Sequence, residues 1–369
     1  MANVNTNSQA PKVTDPKLLK VISRVAREME LSIEKVAANH AQPKEFPLPA
    51  NPDATERLLA ARFKALPQEL KTKAGATAMG RINAPAAARQ QQLGDLAQVN
   101  LKAGVAIGEQ VRALPLPGDM KLTGADLTRI SRANVAVVST AGVAVAGAGS
   151  ILPGTIGPVL PKLTKLEMRI HRVRCVDETG GFAERFGNDE IDLGGIGVDE
   201  TGDTHAIAKF RAGSNFDDGE QVNFSPPRSF TTFDLTEGTA FPKSYFATLV
   251  LSESDPGGGL PTFVNQLVQK VKDKVKAAVL AAAGGIIGTS GGPIGVAIGI
   301  AIGAVLDKVF ALLARIWADD IFPPVTASVN IASLTARWPG GKTDSPESIA
   351  TFKGHGGHYE VTYDWRMFA

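Results

Sequence analysis

Residues Ala277–Leu306, AAVLAAAGGIIGTSGGPIGVAIGIAIGAVL, carry no charged side chain and consist largely of Gly, Ala and Ile. Lys270, Lys272, Lys274 and Lys276 crowd one boundary, and Asp307-Lys308 marks the other. A segment that is apolar all round has to be enclosed, either by the rest of the protein or by lipid. Any fold for this chain must provide that enclosure.

The run GTSGGP at Gly288–Pro293 interrupts the segment near its middle. Gly-Gly-Pro suits a turn with proline at the first position of a new helix. Before it, Phe263, Val264, Leu267, Val268, Val271 and Val275 recur at spacings of three and four, which predicts an amphipathic helix. After it, Val305, Val309, Phe310, Leu313 and Trp317 extend a second helix until Pro323-Pro324. The expectation is a helical hairpin over 256–322. Gly291, Gly295, Gly299 and Gly303 fall every four residues and draw one smooth ridge on the second arm; Gly284 and Gly288 extend it onto the first. Each interior glycine costs about 1 kcal/mol of helix propensity relative to alanine. Repeating that cost implies close approach of something to the ridge, in helix packing or in a membrane. The uncharged arms Ala277–Ile287 and Pro293–Leu306 measure roughly 16 and 21 Å at 1.5 Å per residue, short of a hydrocarbon core of about 30 Å.

The remainder divides at about Leu163. Before it the periodicity is helical. Asp15-Pro16 predicts a helix start, followed by Leu18, Leu19, Ile22, Val25, Met29, Ile33 and Val36 on one face. Pro43, Pro47, Pro49 and Pro52 form a stiff connection. Helices are expected from about residue 51, over 68–80 and over 84–112. Thr123-Gly-Ala-Asp126 reads as a capping box with Asp in place of the usual Glu; it opens a helix running into the uncharged tract Ala133–Leu152. After Leu163 the period becomes two. Strands are expected in Leu166–Val176, Glu190–Val198, Thr204–Phe210, Ser229–Leu235, Tyr245–Leu251, Val325–Leu334, Ile349–Lys353 and Tyr359–Trp365. The fold class is therefore α+β: an N-terminal helical region, then an antiparallel β-sandwich with an inserted helical hairpin. The divisions are 1–50 (tail, first helix and Pro-rich linker), 51–161 (helical), 162–255 (sandwich, first part), 256–322 (hairpin) and 323–369 (sandwich completion).

The sandwich carries acidic turns containing Asp177, Asp189, Asp192, Asp199, Asp203, Asp217 and Asp218. Calcium takes six to eight oxygens, often from several loops, so these seven are the candidate metal ligands and calcium the candidate ion. Aspartate and glycine also populate ordinary solvated turns. His355 and His358 form an HxxH pair with no cysteine partner, since Cys175 is the only cysteine and lies in a strand-like run. The signatures HExxH, Walker A and a Rossmann GxGxxG after a strand are missing. Gly194-Gly195-Ile-Gly197 is followed by acids that would repel phosphate. A net charge of +2 gives no reason to expect nucleic acid.

The run GGIIGTSGGPIGVAIGIAIGAV, held between amphipathic flanks, resembles the inserting hairpin of bacterial pore-forming toxins. The acidic-loop sandwich is similar to C2-type calcium and phospholipid modules. What these resemblances imply is a non-enzymatic, membrane-interacting, toxin- or effector-like protein whose hairpin enters a bilayer while the sandwich docks. The alternative is a structural or interaction protein with the hairpin packed internally or in an oligomer interface. The candidate partners are a lipid membrane and a second copy of the chain. The polar start MANVNTNSQAPKV has no apolar core of a signal peptide; synthesis in the cytoplasm is expected, with secretion or membrane association as the further destinations of the first reading.

Overall fold

The computed structural model describes residues 13–139, 160–178, 189–237, 241–253, 260–284, 293–314, 322–354 and 356–369. The helices are α1 (Pro16–Ala41), α2 (Thr55–Phe63), α3 (Gln68–Ile82), α4 (Ala86–Leu93), α5 (Ile107–Ala113), α6 (Gly124–Ser139), α7 (Leu260–Ala283) and α8 (Pro293–Ala314). The strands are β1 (Lys165–Asp177), β2 (Asp189–Val198), β3 (Thr204–Phe216), β4 (Gln221–Asp234), β5 (Lys243–Glu253), β6 (Val325–Ile331), β7 (Ser348–Gly354) and β8 (Gly357–Phe368). Each expected strand is present, and 84–112 is broken into α4, a 3-10 turn and α5.

Local chemistry explains the helix starts. Asp15 caps α1, its carboxylate accepting from the backbone N–H of Lys17 and Leu18. The Thr123–Asp126 box closes in both directions: Asp126 Oδ2 accepts from the Thr123 N–H at 2.9 Å, and Thr123 Oγ1 accepts from the Asp126 N–H at 3.2 Å. The shorter Asp side chain therefore serves where Glu is usual. The tract Ala133–Leu152 lies mostly outside the described residues.

All strand pairing is antiparallel, in two four-stranded sheets of order β4-β1-β8-β7 and β3-β2-β5-β6. One hydrophobic core fills the space between the sheets. A second core joins α1, α2, α6, α7 and α8 to Ile196, Val198, Phe246 and Val250 on the opposite face of the β2–β5 sheet. That sheet is thus a middle layer, covered on both sides. On β5, Tyr245, Ala247, Leu249 and Leu251 enter the sandwich core, while Phe246 and Val250 enter the helical core. Every residue from Lys243 to Ser252 is buried, as expected for a strand covered on both faces.

The α7–α8 pair is inserted between β5 and β6, which pair directly with each other from Lys243↔Ile331 to Leu249↔Val325. The strand pairing therefore does not depend on the length of what lies between. Pro226 and Pro227 sit within β4, which their missing N–H groups permit because β4 is an edge strand.

Candidate functional site

The ridge on α8 faces the middle sheet. A Cβ at Gly295 would stand 1.9 Å from the carbonyl oxygen of Glu200, and one at Gly299 would stand 2.3 Å from the ring of Phe246. At Gly303 it would be 3.0 Å from Thr326 Oγ1. The contact works in both directions: Ile298 of α8 sits over Gly202, where a Cβ would lie 2.7 Å from its Cδ1. The surface that Gly295, Gly299 and Gly303 approach is a sheet and its turn.

Gly284 does not belong to this ridge. It follows the last residue of α7 with φ +53°, and a Cβ there would meet nothing within 4 Å. Its N–H donates to the carbonyls of Leu280 and Ala281, so it is the left-handed terminator of the helix. The described helix of the first arm ends at Ala283, and the expected continuation to Ile287 lies outside the described residues. Gly288 and Gly291 lie outside the described residues. The second arm is longer than its uncharged part. Pro293–Leu313 spans 21 residues at a mean hydropathy of 2.2, and 72% of its apolar window is buried inside the protein.

The turn that receives Gly295 is anchored from below. Glu200 and Lys243 are 2% and 1% exposed and form an ion pair at 3.3 Å. Lys243 Nζ also donates to the carbonyl of Leu235 at 2.6 Å and to that of Glu237. Burial, and then the negative charge of Glu200, raise the Tyr245 hydroxyl well above the ordinary tyrosine range. Asp199 shapes the same turn, accepting from the Thr201 N–H at 2.8 Å and the Asp203 N–H at 2.9 Å.

The acidic residues do not converge on one calcium bed. Asp199 and Asp203 flank the β2–β3 turn, whereas Asp189 pairs with Phe216 at the other end of β2. Ten strand residues at about 3.3 Å each separate those ends by roughly 30 Å. Asp177, Asp217 and Asp218 belong to the Asp189 end, where Asp218 accepts from the Glu178 N–H. Asp192 is 4% exposed and is taken by Lys209 at 3.0 Å and Arg211 at 2.9 Å. Asp203 pairs with Lys276 of α7, which holds its carboxyl below the usual carboxylate range. Among the described residues, no group of three or more His, Cys, Asp or Glu side chains is placed to hold a metal ion. His355 lies outside the described residues; His358 is half-buried in β8.

The Gly194–Gly197 run is structural. A Cβ at Gly195 would stand 1.9 Å from the Thr248 carbonyl oxygen and 3.2 Å from the Phe230 ring, and one at Gly197 would strike the His205 and Phe233 rings. The glycines make room for aromatic side chains reaching across from β4 and for the backbone of β5.

A feature that the sequence reading missed lies along α7. A cavity of about 420 Å³ opens between α1, α2, α5 and α7. Its walls include the buried Arg24 and Glu56 and the Glu28–Lys274 ion pair. Glu56 is 1% exposed; its Oε1 accepts from the Ile107 N–H at 2.8 Å and from Ser32 Oγ at 3.3 Å, while its Oε2 has no hydrogen-bond partner. Nearby, Lys35 is fully buried, donating to the carbonyls of Ala103 and Val105, and burial lowers its ammonium from the ordinary lysine value. The available signal was Lys35 itself, four residues after Leu31 and three before Ala38. Those two residues belong to a third, smaller core on the other side of α1.

No known protein family, characterised protein or solved structure matches this chain.

Proposed function

We propose that this chain is a structural or interaction protein in which the α7–α8 pair is the internal axis of packing. The observation that supports this reading is the fit of Gly295, Gly299 and Gly303 to Glu200, Phe246 and Thr326. That fit supplies a reason for the glycines without a bilayer. Vesicle flotation and dye leakage test it, with the full chain, with and without calcium, between about pH 5 and pH 7.5. The chain is expected to stay in the soluble fraction and release no dye; flotation under any of these conditions overturns the reading.

A second reading is favoured by the length and composition of α8. In it the protein is membrane-interacting and toxin- or effector-like, and the folded state holds in reserve a helix of roughly 30 Å, long enough for a hydrocarbon core. Reaching lipid would require α8 to leave its bed on the sheet. A Cβ at Gly303 would stand 3.5 Å from the Thr326 Cβ, within the range of about 3.5–4.5 Å that a disulfide spans. The pair Gly303→Cys and Thr326→Cys therefore ties helix to sheet. If α8 is a reserve helix, the oxidised protein stays off vesicles and the reduced protein floats. If the hairpin is only internal packing, neither form floats.

A further inference from the structure

A groove runs along the side of α1 that faces away from the α7 cavity. Ser23, Ala26, Glu30, Ile33 and Ala37 recur at spacings of three and four, so they form one stripe on that helix. The stripe floors two compartments. The first, of about 360 Å³, lies between α1 and the end of α8; the second, of about 370 Å³, lies between α1 and α3. Glu30, Ile33 and Leu312 line both, so the compartments adjoin. Each has the size of a small-molecule site, about 300–1,000 Å³. The floor of the second is apolar: Ile33, Ala37 and Ala78 are buried, with Leu70, Ala74 and Leu312 half-buried around them. The charges in the walls are not balanced. Both carboxylates, Glu30 and Glu34, are held by Arg81, at 2.5 and 3.0 Å, and burial raises the Glu34 carboxyl from its ordinary value. Arg27 and Lys308 line the first compartment and Lys73 the second, and none of the three forms an ion pair among the described residues. Lys308 donates to the uncharged Ser23 Oγ at 3.2 Å. Four bases, Arg27, Lys73, Arg81 and Lys308, thus stand against two acids.

We propose that this groove binds a free single-chain anionic amphiphile, a fatty acid. Its carboxylate meets Lys308 and Arg27 beside Ser23, and its alkyl chain passes over Ile33 and Leu312 into the compartment between α1 and α3. The ten residues from Arg27 to Ala37 measure roughly 15 Å at 1.5 Å per residue, a length that an extended dodecyl chain covers. The surplus of base selects an anionic head over a cationic one. The apolar floor selects a chain over a small inorganic anion. The source is the monomeric acid and not a bilayer, because the floor is recessed between three helices where a planar lipid surface does not reach. The proposal does not depend on whether the hairpin meets a membrane.

The test is calorimetric titration and thermal melting of the full chain with dodecanoate below its micelle concentration. The comparisons are octanoate, dodecyltrimethylammonium, and vesicles of phosphatidylcholine with phosphatidylglycerol. Dodecanoate is expected to bind saturably, one molecule per chain, and to raise the melting temperature, since a ligand that binds only the folded state stabilises it. Each methylene removed should lower the affinity roughly fourfold, so octanoate binds far more weakly. The cationic amphiphile of equal chain length should bind about tenfold more weakly. Arg27→Gln combined with Lys308→Gln, at the rim of the groove, should cost dodecanoate about tenfold and should not weaken dodecyltrimethylammonium. Ala74→Phe puts a ring into the inner compartment and should weaken dodecanoate more than octanoate; if that variant does not fold, the charge variant carries the test. No saturable binding, equal affinity for the two head groups, undiminished affinity in the charge variant, or association with vesicles alone overturns the proposal.

Discussion

The helices α7 and α8 enter the fold at one point, between two paired strands, yet they meet opposite environments. α8 lies in a dry bed. Ile294, Val296, Ala297, Ile298, Ile300, Ala301 and Ile302 are all buried, and its glycines admit the backbone of Glu200 and the ring of Phe246 to contact distance. α7 buries Val264, Leu267, Val268, Val271, Val275 and Val279, but turns lysines toward Glu28 and Asp203 and its alanines toward an open cavity. The buried length of α8 is its apolar part, and Asp307, Lys308 and Ala311 toward its end are exposed. α7 is covered on one side and keeps a polar side, where Lys274 and Lys276 pair with Glu28 and Asp203.

The most severe way to break this contrast is to remove the support of the α8 bed. Lys243→Met leaves Glu200 buried without its cation, and loss of one partner of a buried pair typically costs about 3–5 kcal/mol. Chemical denaturation should show that loss. Gly295→Ala comes next. It forces a methyl against the Glu200 carbonyl oxygen, and overpacking of this kind costs roughly 1–3 kcal/mol.

The terminator of α7 should respond less strongly. Gly284→Ala places a side chain at φ +53° and is expected to cost about 1 kcal/mol through backbone strain alone. Gly80 in α3 sharpens the comparison, because a Cβ there meets nothing within 4 Å. Gly80→Ala should therefore stabilise the protein by about 0.5–1 kcal/mol, through helix propensity. The same substitution thus has opposite signs on α3 and α8, and a destabilised Gly80→Ala would show that the contrast does not come from space.

The smallest expected effect is on pH dependence. Burial lowers the His205 imidazole below its ordinary 6.5, with Asp199 opposing and Lys272 of α7 assisting. The folded protein then binds this proton less readily than the unfolded chain. Stability contributed by His205 is present above about pH 6.5 and falls as the pH drops from there to the folded-state value. The ring keeps an exposed edge, so solvent mutes the slope. His205→Gln should flatten that part of a melting-temperature profile; an unchanged slope would assign it elsewhere.

Much of the architecture was legible from local pattern. The period of two located the eight strands among the described residues, and Asp15-Pro16 and Thr123–Asp126 located two helix starts. Ends were less legible. β3 and β4 run past the expected segments; in β4 the alternation of Val222 and Phe224 is short and is cut by Pro226-Pro227, which reads as a strand break. The acidic turns looked alike in sequence, although Asp192 and Asp203 hold cations from β3 and α7, while Asp199 is spent within its own turn. The cavity left almost no trace, because its walls come from four helices spread between residues 24 and 281.

For Ala277–Leu306, the sequence alone determined that its described parts are helical and that its apolar residues need enclosure, since side-chain polarity and backbone propensity act over a few neighbouring residues. It also determined that something approaches the ridge closely. Only the tertiary structure decided that this is the β2–β3 turn with β5 and β6, and that Gly284 ends a helix rather than extending the ridge. Which surface fills a groove is fixed by contacts between residues as distant as Glu200 and Gly295, and no local spacing encodes that pairing.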